Sequence, residues 1–495
     1  MLSLIVFLPV VVAAVLALTR SMSGRAAAWV WLMTSIVELV LGVLASIPGS
    51  TASGLRWEER MEWMPSVGTS YHLGVDGFSA PLLLLTDVVF LVCALWAMRD
   101  TDRPRPQAAL FLSLQTTCLG VFAAQDLLVF FVFFDLSIVG MYFVIAGWGH
   151  GDHQRSALRF FLYTFLGSLA LLLGLIGLYL GSAPHTFDMV ELTRNGFTGT
   201  PLTAGAVLAA LVVGFAVKTP TVPFHSWLPP AHTDAPAIGS VVLASVLLKM
   251  GTYGFLRIAM PMLPDAWRSW SWVIVIVGIV SVLYGALVAL AQTNVKRLIA
   301  YTSVNHMGYV VLAVGAAGMT GATSAQAQQL AITGATVQMV SHGLITGALF
   351  LLAGVLHDRR GSYEISDYSG LAKPAPRFSG LFAIAAFASL GIPGFSGFIA
   401  EFQIFAGSIG ATAIAAIALP GILITAALFL RTVQKLLTGP TEHLADGFTD
   451  VTARETVTVG ALLLLSLAIG VVPGPLLQLI APAARQLAAL VGGPA

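Results

Sequence analysis

Charge is what this sequence has least of. Of 495 residues only 9% are Asp, Glu, Lys or Arg, while 57% are hydrophobic. A soluble domain carries about 25% charged residues. A surface facing water cannot be built from this composition, so most of it has to face lipid. Cysteine is nearly as scarce: Cys93 and Cys118 are the only two, both inside apolar runs, with no CxxC or Cys/His cluster. Iron–sulfur and structural zinc sites need several such ligands, so no metal centre is expected in this chain. No dinucleotide fingerprint and no phosphate-binding loop occurs, which leaves no nucleotide or other cofactor site apparent. The net charge is +1, implying no nucleic acid or other polyanion as a partner. The short alternating segments of a membrane β-barrel are not evident either. Any energy used here has to come from a gradient or from a partner subunit.

What is there is a succession of apolar runs long enough to cross a hydrocarbon core of about 30 Å as helices. They predict an all-α, polytopic membrane protein with about fourteen spans: 1–18, 27–47, 79–98, 107–124, 127–147, 157–181, 202–225, 236–257, 271–292, 298–318, 331–357, 378–407, 411–437 and 456–480, with a short amphipathic tail around 482–491. The first run lacks a basic leader and reads as a spanning helix, not a cleaved signal. Basic residues set the orientation. One alternating set of loops, including Arg20, Arg25, Arg99, Arg103, Arg155, Lys296, Arg359 and Arg377, holds sixteen. The other, including Arg56, Arg60, Arg194 and Arg268, holds six, and Lys218 and Lys249 lie inside spans. The bias places both termini on the outer, periplasmic side of a bacterial inner membrane.

Two spans are interrupted. The seventh contains KTPTVPFHSWLPP, where Pro220 and Pro223 follow Lys218. The twelfth contains SLGIPGFSGF, with Gly391, Pro393, Gly394 and Gly397. Each proline removes a backbone donor and clashes with the preceding turn, and broken backbone in lipid has to be satisfied by protein or a wet cavity. Paired broken helices in two halves point to a transport site between inverted repeats. The expected organisation is a three-helix segment over 1–98, a first five-helix repeat over 107–257, a second over 271–437, and a terminal helix and tail over 456–495.

The charges inside the spans are the candidate site. Asp135 lies mid-span in FFVFFDLSIVG, Lys218 precedes the first break, Lys249 is central in the eighth span, and Glu401 follows the second break, in roughly the place related by the repeat to Lys218. A lone buried charge costs several kcal/mol unless paired, neutralised or hydrated. One or two could be structural ion pairs; four near the midplane favour a hydrated proton path. His306 and His342, in the tenth and eleventh spans, titrate near neutrality and suit relay, though a histidine bonded to a neighbouring helix is the plainer alternative. Arg159 is equally a positive-inside anchor or a path residue. His225, His232 and Asp234 could mark a proton inlet or simply cap the next helix. Asp76 and Asp87, near the third span, receive no role.

The stretches FHSWLPPAHTDAPAIGSVVLASVLLKMGTYGFLR, VKRLIAYTSVNHMGYV, QMVSHGLITGALFLLAGVL and GIPGFSGFIAEF resemble the antiporter-like, proton-pumping membrane subunits of respiratory complex I, from about residue 70 onward. The resemblance implies fourteen helices, inverted repeats and a central polar axis. It implies a proton-translocating subunit of NADH-quinone oxidoreductase driven by quinone reduction elsewhere. Flavin, iron–sulfur clusters and quinone then belong to partner subunits, among them further antiporter-like ones. On that axis Lys218 matches the broken-helix lysine, Lys249 the central relay lysine, Glu401 the distal carboxylate, and His306 and His342 the axial histidines. Three departures stand out. Asp135 falls where the family has glutamate, Arg159 where lysine is common, and Asn294 and Pro230 where aspartates are common. Relatives with the same fold leave other readings open: a subunit of a multisubunit cation/proton antiporter, of a membrane hydrogenase or of an inorganic-carbon uptake complex. A scaffold without transport is the reading from another class, and the buried charges argue against it.

Overall fold

The computed structural model describes residues 1–47, 54–99, 102–319, 325–441 and 448–492. The apolar runs become helices α1 (Leu2–Leu18), α2 (Gly24–Ser46), α3 (Ser79–Ala97), α4 (Pro104–Ala123), α5 (Leu127–Trp148) and α6 (His153–Leu180). A short α7 (Met189–Asn195) precedes α8 (Pro201–Lys218), α9 (Leu228–Asp234) and α10 (Ala237–Met262). Then come α11 (Pro264–Leu290), α12 (Val295–Ala317) and α13 (Ala325–Arg360). The chain closes with α14 (Pro376–Ser389), α15 (Ser396–Ala411), α16 (Pro420–Leu437), α17 (Ala453–Val471) and α18 (Gly474–Gly492).

The apolar stripe sorts the helices into lipid-facing and central ones. On α6, Leu158, Leu162, Leu166, Leu169, Leu173, Ile176 and Leu180 recur at helical spacing and are all exposed. The opposite face carries Gly167, Gly174 and Gly177, where an added Cβ would meet Val217, Leu211 and Val207 of α8 within 2.7 Å. Lipid offers no hydrophobic drive between helices, so small residues that admit close packing hold them together. The same device joins α11 to α12, through Gly278 and Gly285 on one and Gly308 and Gly315 on the other. At the centre, α10, α12 and α13 are buried over almost their whole length. Helix starts take side-chain caps from Ser23, Asp126, Asp188, Thr200, Asn294 and Thr452, the last in a reciprocal capping box with Glu455.

Three features depart from the sequence-based expectation. Residues Arg56–Met64 (β1) and Thr69–Val75 (β2) form an antiparallel hairpin with Arg60 opposite His72. Trp57, Trp63, Thr69, Tyr71 and Val75 favour strands, but the charges of Arg56, Glu58, Glu59, Arg60 and Glu62 among them hid β1. The last span ends at Val471, not near 480, because Pro473 cannot continue the helix hydrogen bonding. The tail is accordingly longer. Although α18 is long and apolar enough to span, it packs beside Gly77, Gly54, Arg268 and Gln328. These positions lie at or just outside the same ends of α2, α3, α11 and α13. It therefore lies flat along the face that carries the hairpin.

Candidate proton axis

The two breaks are built differently but both are satisfied by protein. After Lys218, the Val222 amide donates to Ser281 Oγ (3.0 Å), the Thr221 amide to the Ala216 carbonyl (3.1 Å), and Trp227 Nε1 to the Val217 carbonyl (3.0 Å). Between α14 and α15 the chain turns on Gly391 (φ +73°) and Gly394 (φ +105°), a backbone region that favours glycine. Ser396 Oγ then bonds Ser341 Oγ (2.8 Å) and Ser466 Oγ (2.7 Å).

Lys218 is buried at the end of α8. Its amine donates to Ser137 Oγ at 3.0 Å and sits 4.8 Å from the Phe134 ring centroid. Asp135 is half-buried on the same stretch of α5, with Oδ1 unpartnered. No ion pair within 4 Å joins the two among the described residues, although their charges are near enough to interact.

Lys249 is fully buried. It lies between two stretches of π-helical backbone, Leu243–Leu247 and Phe255–Ala259. Such widened turns are frequent at functional sites. Here Lys249 Nζ donates to the Ala244 carbonyl at 2.5 Å and contacts His342 Nδ1 at 2.6 Å. The His342 and His306 rings stand 5.6 Å apart, and Gln338 Nε2 lies 3.2 Å from His306 Nδ1. Tyr309, on the same face of α12, has its ring 5.6 Å from that of His306 and lies within electrostatic reach of Glu401. Glu401 packs its carboxylate against Gly391 at the break and faces a cavity of about 450 Å³ lined by Leu390, Phe398, Phe402, Phe405 and Leu419. Lys249, His342 and His306 thus form one contact group, with Glu401 beyond Tyr309; Asp135 and Lys218 stand together on the neighbouring α5 and α8.

Of the remaining candidates, Arg159 and His225 make no contact with that group among the described residues, whereas His232 lies within electrostatic reach of Lys249 and His342. Arg159 is exposed on the outer surface of α6. His225 faces the Tyr284 and Tyr301 rings at 5.0 and 6.2 Å. His232 is fully buried against Phe350, with both ring nitrogens unpartnered, on the side of Lys249 and Lys296.

Sequence reading missed two contributors. Lys296, counted there as a loop residue, is fully buried; its amine donates to the Ala235 carbonyl (2.6 Å) and lies 4.7 Å from the Tyr363 ring centroid. His150, His357 and Tyr363 stack beside it, with ring centroids 4.6–5.4 Å apart. Nothing in the spacing signals this stack, since its members come from three separate loops and helix ends. Asn294 caps α12 through Oδ1 and donates from Nδ2 to Glu364 Oε1 (2.9 Å), a bond an aspartate could not make. Pro230 occupies the first turn of α9, where a missing N–H costs nothing.

Comparison with known proteins adds the following. Residues 124–428 match the family described as NADH:quinone oxidoreductase/Mrp antiporter, transmembrane. The chain is 37% identical to NADH-quinone oxidoreductase subunit M of Rhodobacter capsulatus, covering 98% of this chain and 96% of that protein. It is 34% identical to F(420)H(2) dehydrogenase subunit M of Methanosarcina mazei, over 99% and 98%. A chain in the structure of respiratory complex I from Thermus thermophilus with bound NADH superposes with a TM-score of 0.89 at 30% identity, covering 100% of both chains.

Proposed function

We propose, from the premise that this chain belongs to the NADH:quinone oxidoreductase/Mrp antiporter membrane family, that it is a proton-translocating subunit of NADH-quinone oxidoreductase. Its partners are the other membrane-arm subunits, further antiporter-like ones among them. Flavin, iron–sulfur clusters and quinone belong to those partners, and quinone reduction there drives proton movement here. One observation supports the reading: a contact group of Lys249, His342 and His306 lies in a chain whose two broken helices each carry a buried charge beside the break, Lys218 and Glu401.

In this mechanism Lys218 has two alternative neighbours, Ser137 and Asp135. Turned to Ser137, the amine has a neutral partner and releases its proton readily towards Lys249. Turned to Asp135, it is stabilised as the cation and reloads. From Lys249 the proton passes to His342 and onward to Glu401 at the second break. Moving one charge against about 150 mV costs roughly 3.5 kcal/mol. A shift of one pKa unit is about 1.36 kcal/mol, so changes of about 2–3 units in the relay suffice, within the range that burial and a nearby charge produce. The repeats bounded at 107–257 and 271–437 would each present one broken helix to this line, with 1–98 and 456–495 flanking them. His232, beside the buried Lys296, is the inlet candidate, while the exposed Arg159 serves as a field or contact residue. Both termini lie on the periplasmic side of the bacterial inner membrane. The test is proton stoichiometry in the assembled complex carrying Lys218→Ala or Glu401→Ala. Unchanged pumping per electron pair in both variants would sink the relay.

A further inference from the structure

A second group of acids lies outside this line, among α2, α3 and α4. Glu38 and Asp87 are both fully buried and near enough for their charges to interact. Asp87 Oδ1 accepts from Gln115 Nε2 at 3.3 Å. Asp87 Oδ2 has no hydrogen-bond donor and is pressed against Gly42, where any added Cβ would collide with it. Both carboxylate oxygens of Glu38 also lack a donor, as do Ser35 Oγ and Gln115 Oε1, each on a fully buried side chain. Ser35, Glu38 and Gly42 follow at intervals of three and four, so they share one face of α2. Ile36, Val37 and Val40 on the other face are exposed. Trp31, one turn before Ser35 on the same face, packs its ring 5.1 Å from Phe111 of α4 and covers the group at that end.

No basic side chain forms an ion pair with either acid among the described residues. The helices packed on these three use their charges elsewhere. Lys249 of α10 and His342 of α13 bond to each other, Arg257 of α10 holds Asp76, Arg359 of α13 holds Glu455 of α17, Asp135 of α5 interacts with Lys218, and Arg105 of α4 bonds the Thr19 carbonyl. Arg485 of α18 is exposed and bonds its own helix, and α1 has no charged side chain. Two buried carboxylates within electrostatic reach of each other, with no basic partner, strongly disfavour double ionisation, so the group calls for a positive guest. Asp87 seated directly on the Gly42 backbone leaves little room there for an ion with a full oxygen shell, which favours the smallest guest.

We propose that Glu38 and Asp87, with Gln115 holding one Asp87 oxygen, form a proton-binding site, separate from the Asp135–Glu401 line, in which the buried carboxyls bind an exchangeable proton. Binding one proton takes the pair from −2 to −1, and a second makes it neutral; only O–H bonds form. Gln115 fixes Asp87 through one oxygen and leaves the other free to be protonated.

Infrared difference spectroscopy of the assembled complex in membranes tests this, comparing water with deuterium oxide across a pH series. The expected result is a protonated-carboxyl band that shifts on deuteration, disappears in both Glu38→Gln and Asp87→Asn, and is indifferent to sodium chloride. Spectra identical to the parent in both variants would overturn the proposal. So would a band that appears only when sodium is removed, since the guest would then be the metal ion. Where a variant fails to assemble, Glu38→Asp and Asp87→Glu keep both acids; a moved band supports the site, and an unmoved one overturns it. The relay is read separately by pumping stoichiometry, so either idea can fail alone.

Discussion

Lys218 shows how much rides on the rotation of one helix. Its amine reaches Ser137, two residues beyond the acid that matters electrostatically. Asp135 and Lys218 form no ion pair within 4 Å among the described residues, and a side chain one methylene longer than aspartate would reach further towards the amine. Asp135→Glu is therefore expected to restore direct pairing and keep pumping, whereas Asp135→Asn should reduce coupled proton transfer roughly five-fold or more, the lower end of usual coupling energies. Proton uptake by inverted vesicles on NADH addition reads both, and equal rates in the two variants would contradict the assignment. Though the buried Glu38 of the second span escaped notice, Asp135, Lys218, Lys249 and Glu401 were legible in the sequence because charges inside spans are so rare that they stand out. Their partners were not, since whether Lys218 meets Ser137 or Asp135 depends on side-chain direction. Lys296 was misplaced for a related reason: two residues past the Asn294 cap, it looks like an interfacial lysine, yet its stem turns inward to the Ala235 carbonyl.

The breaks and the hairpin carry predictions of their own. Trp227 closes the first break by donating to the carbonyl of Val217. Trp227→Phe keeps the ring but orphans that oxygen, and should lower stability by about 1 kcal/mol, seen as earlier thermal loss of the assembled complex. The hairpin is tied down by His72, whose Nδ1 meets Asp188 Oδ2 at 2.7 Å and whose Nε2 meets Glu58 Oε1 at 3.0 Å. Burial raises the Asp188 pKa, but the His72 bond, the Glu191 amide and Arg60 outweigh it and hold the carboxyl below its usual value. A depressed carboxylate contributes stability above its unfolded pKa of about 3.9, lost as pH falls through the lower folded value. Hydrogen exchange over 56–75 should thus stay slow at pH 5 and rise only below about pH 4. Asp188→Asn should make it fast already at neutral pH. Spans were readable because length and hydropathy report them directly. The hairpin was not: β1 is mostly exposed and charged, and its partner strand is buried by α5 and the α7 loop, a tertiary effect.

At the scale of the whole molecule, sidedness is the quantity the sequence states most simply, as sixteen basic residues against six. Cys93 and Cys118 are both buried, so an added cysteine can be labelled selectively. Thr198→Cys, exposed on the hairpin face, should react with an impermeant maleimide in intact spheroplasts, and Asp152→Cys, exposed on the opposite face, only after lysis; the reverse pattern would invert the orientation. The hairpin face is also where α18 lies, touching positions beside α2, α3, α11 and α13. That makes it a tie beam. A transporter that rocks one half against the other needs its halves free to slide, and here a buried 36-residue helix, α13, runs through the centre while α18 bolts the outer ends together. Rocking of one half against the other would first have to break the contacts that α18 makes across this face.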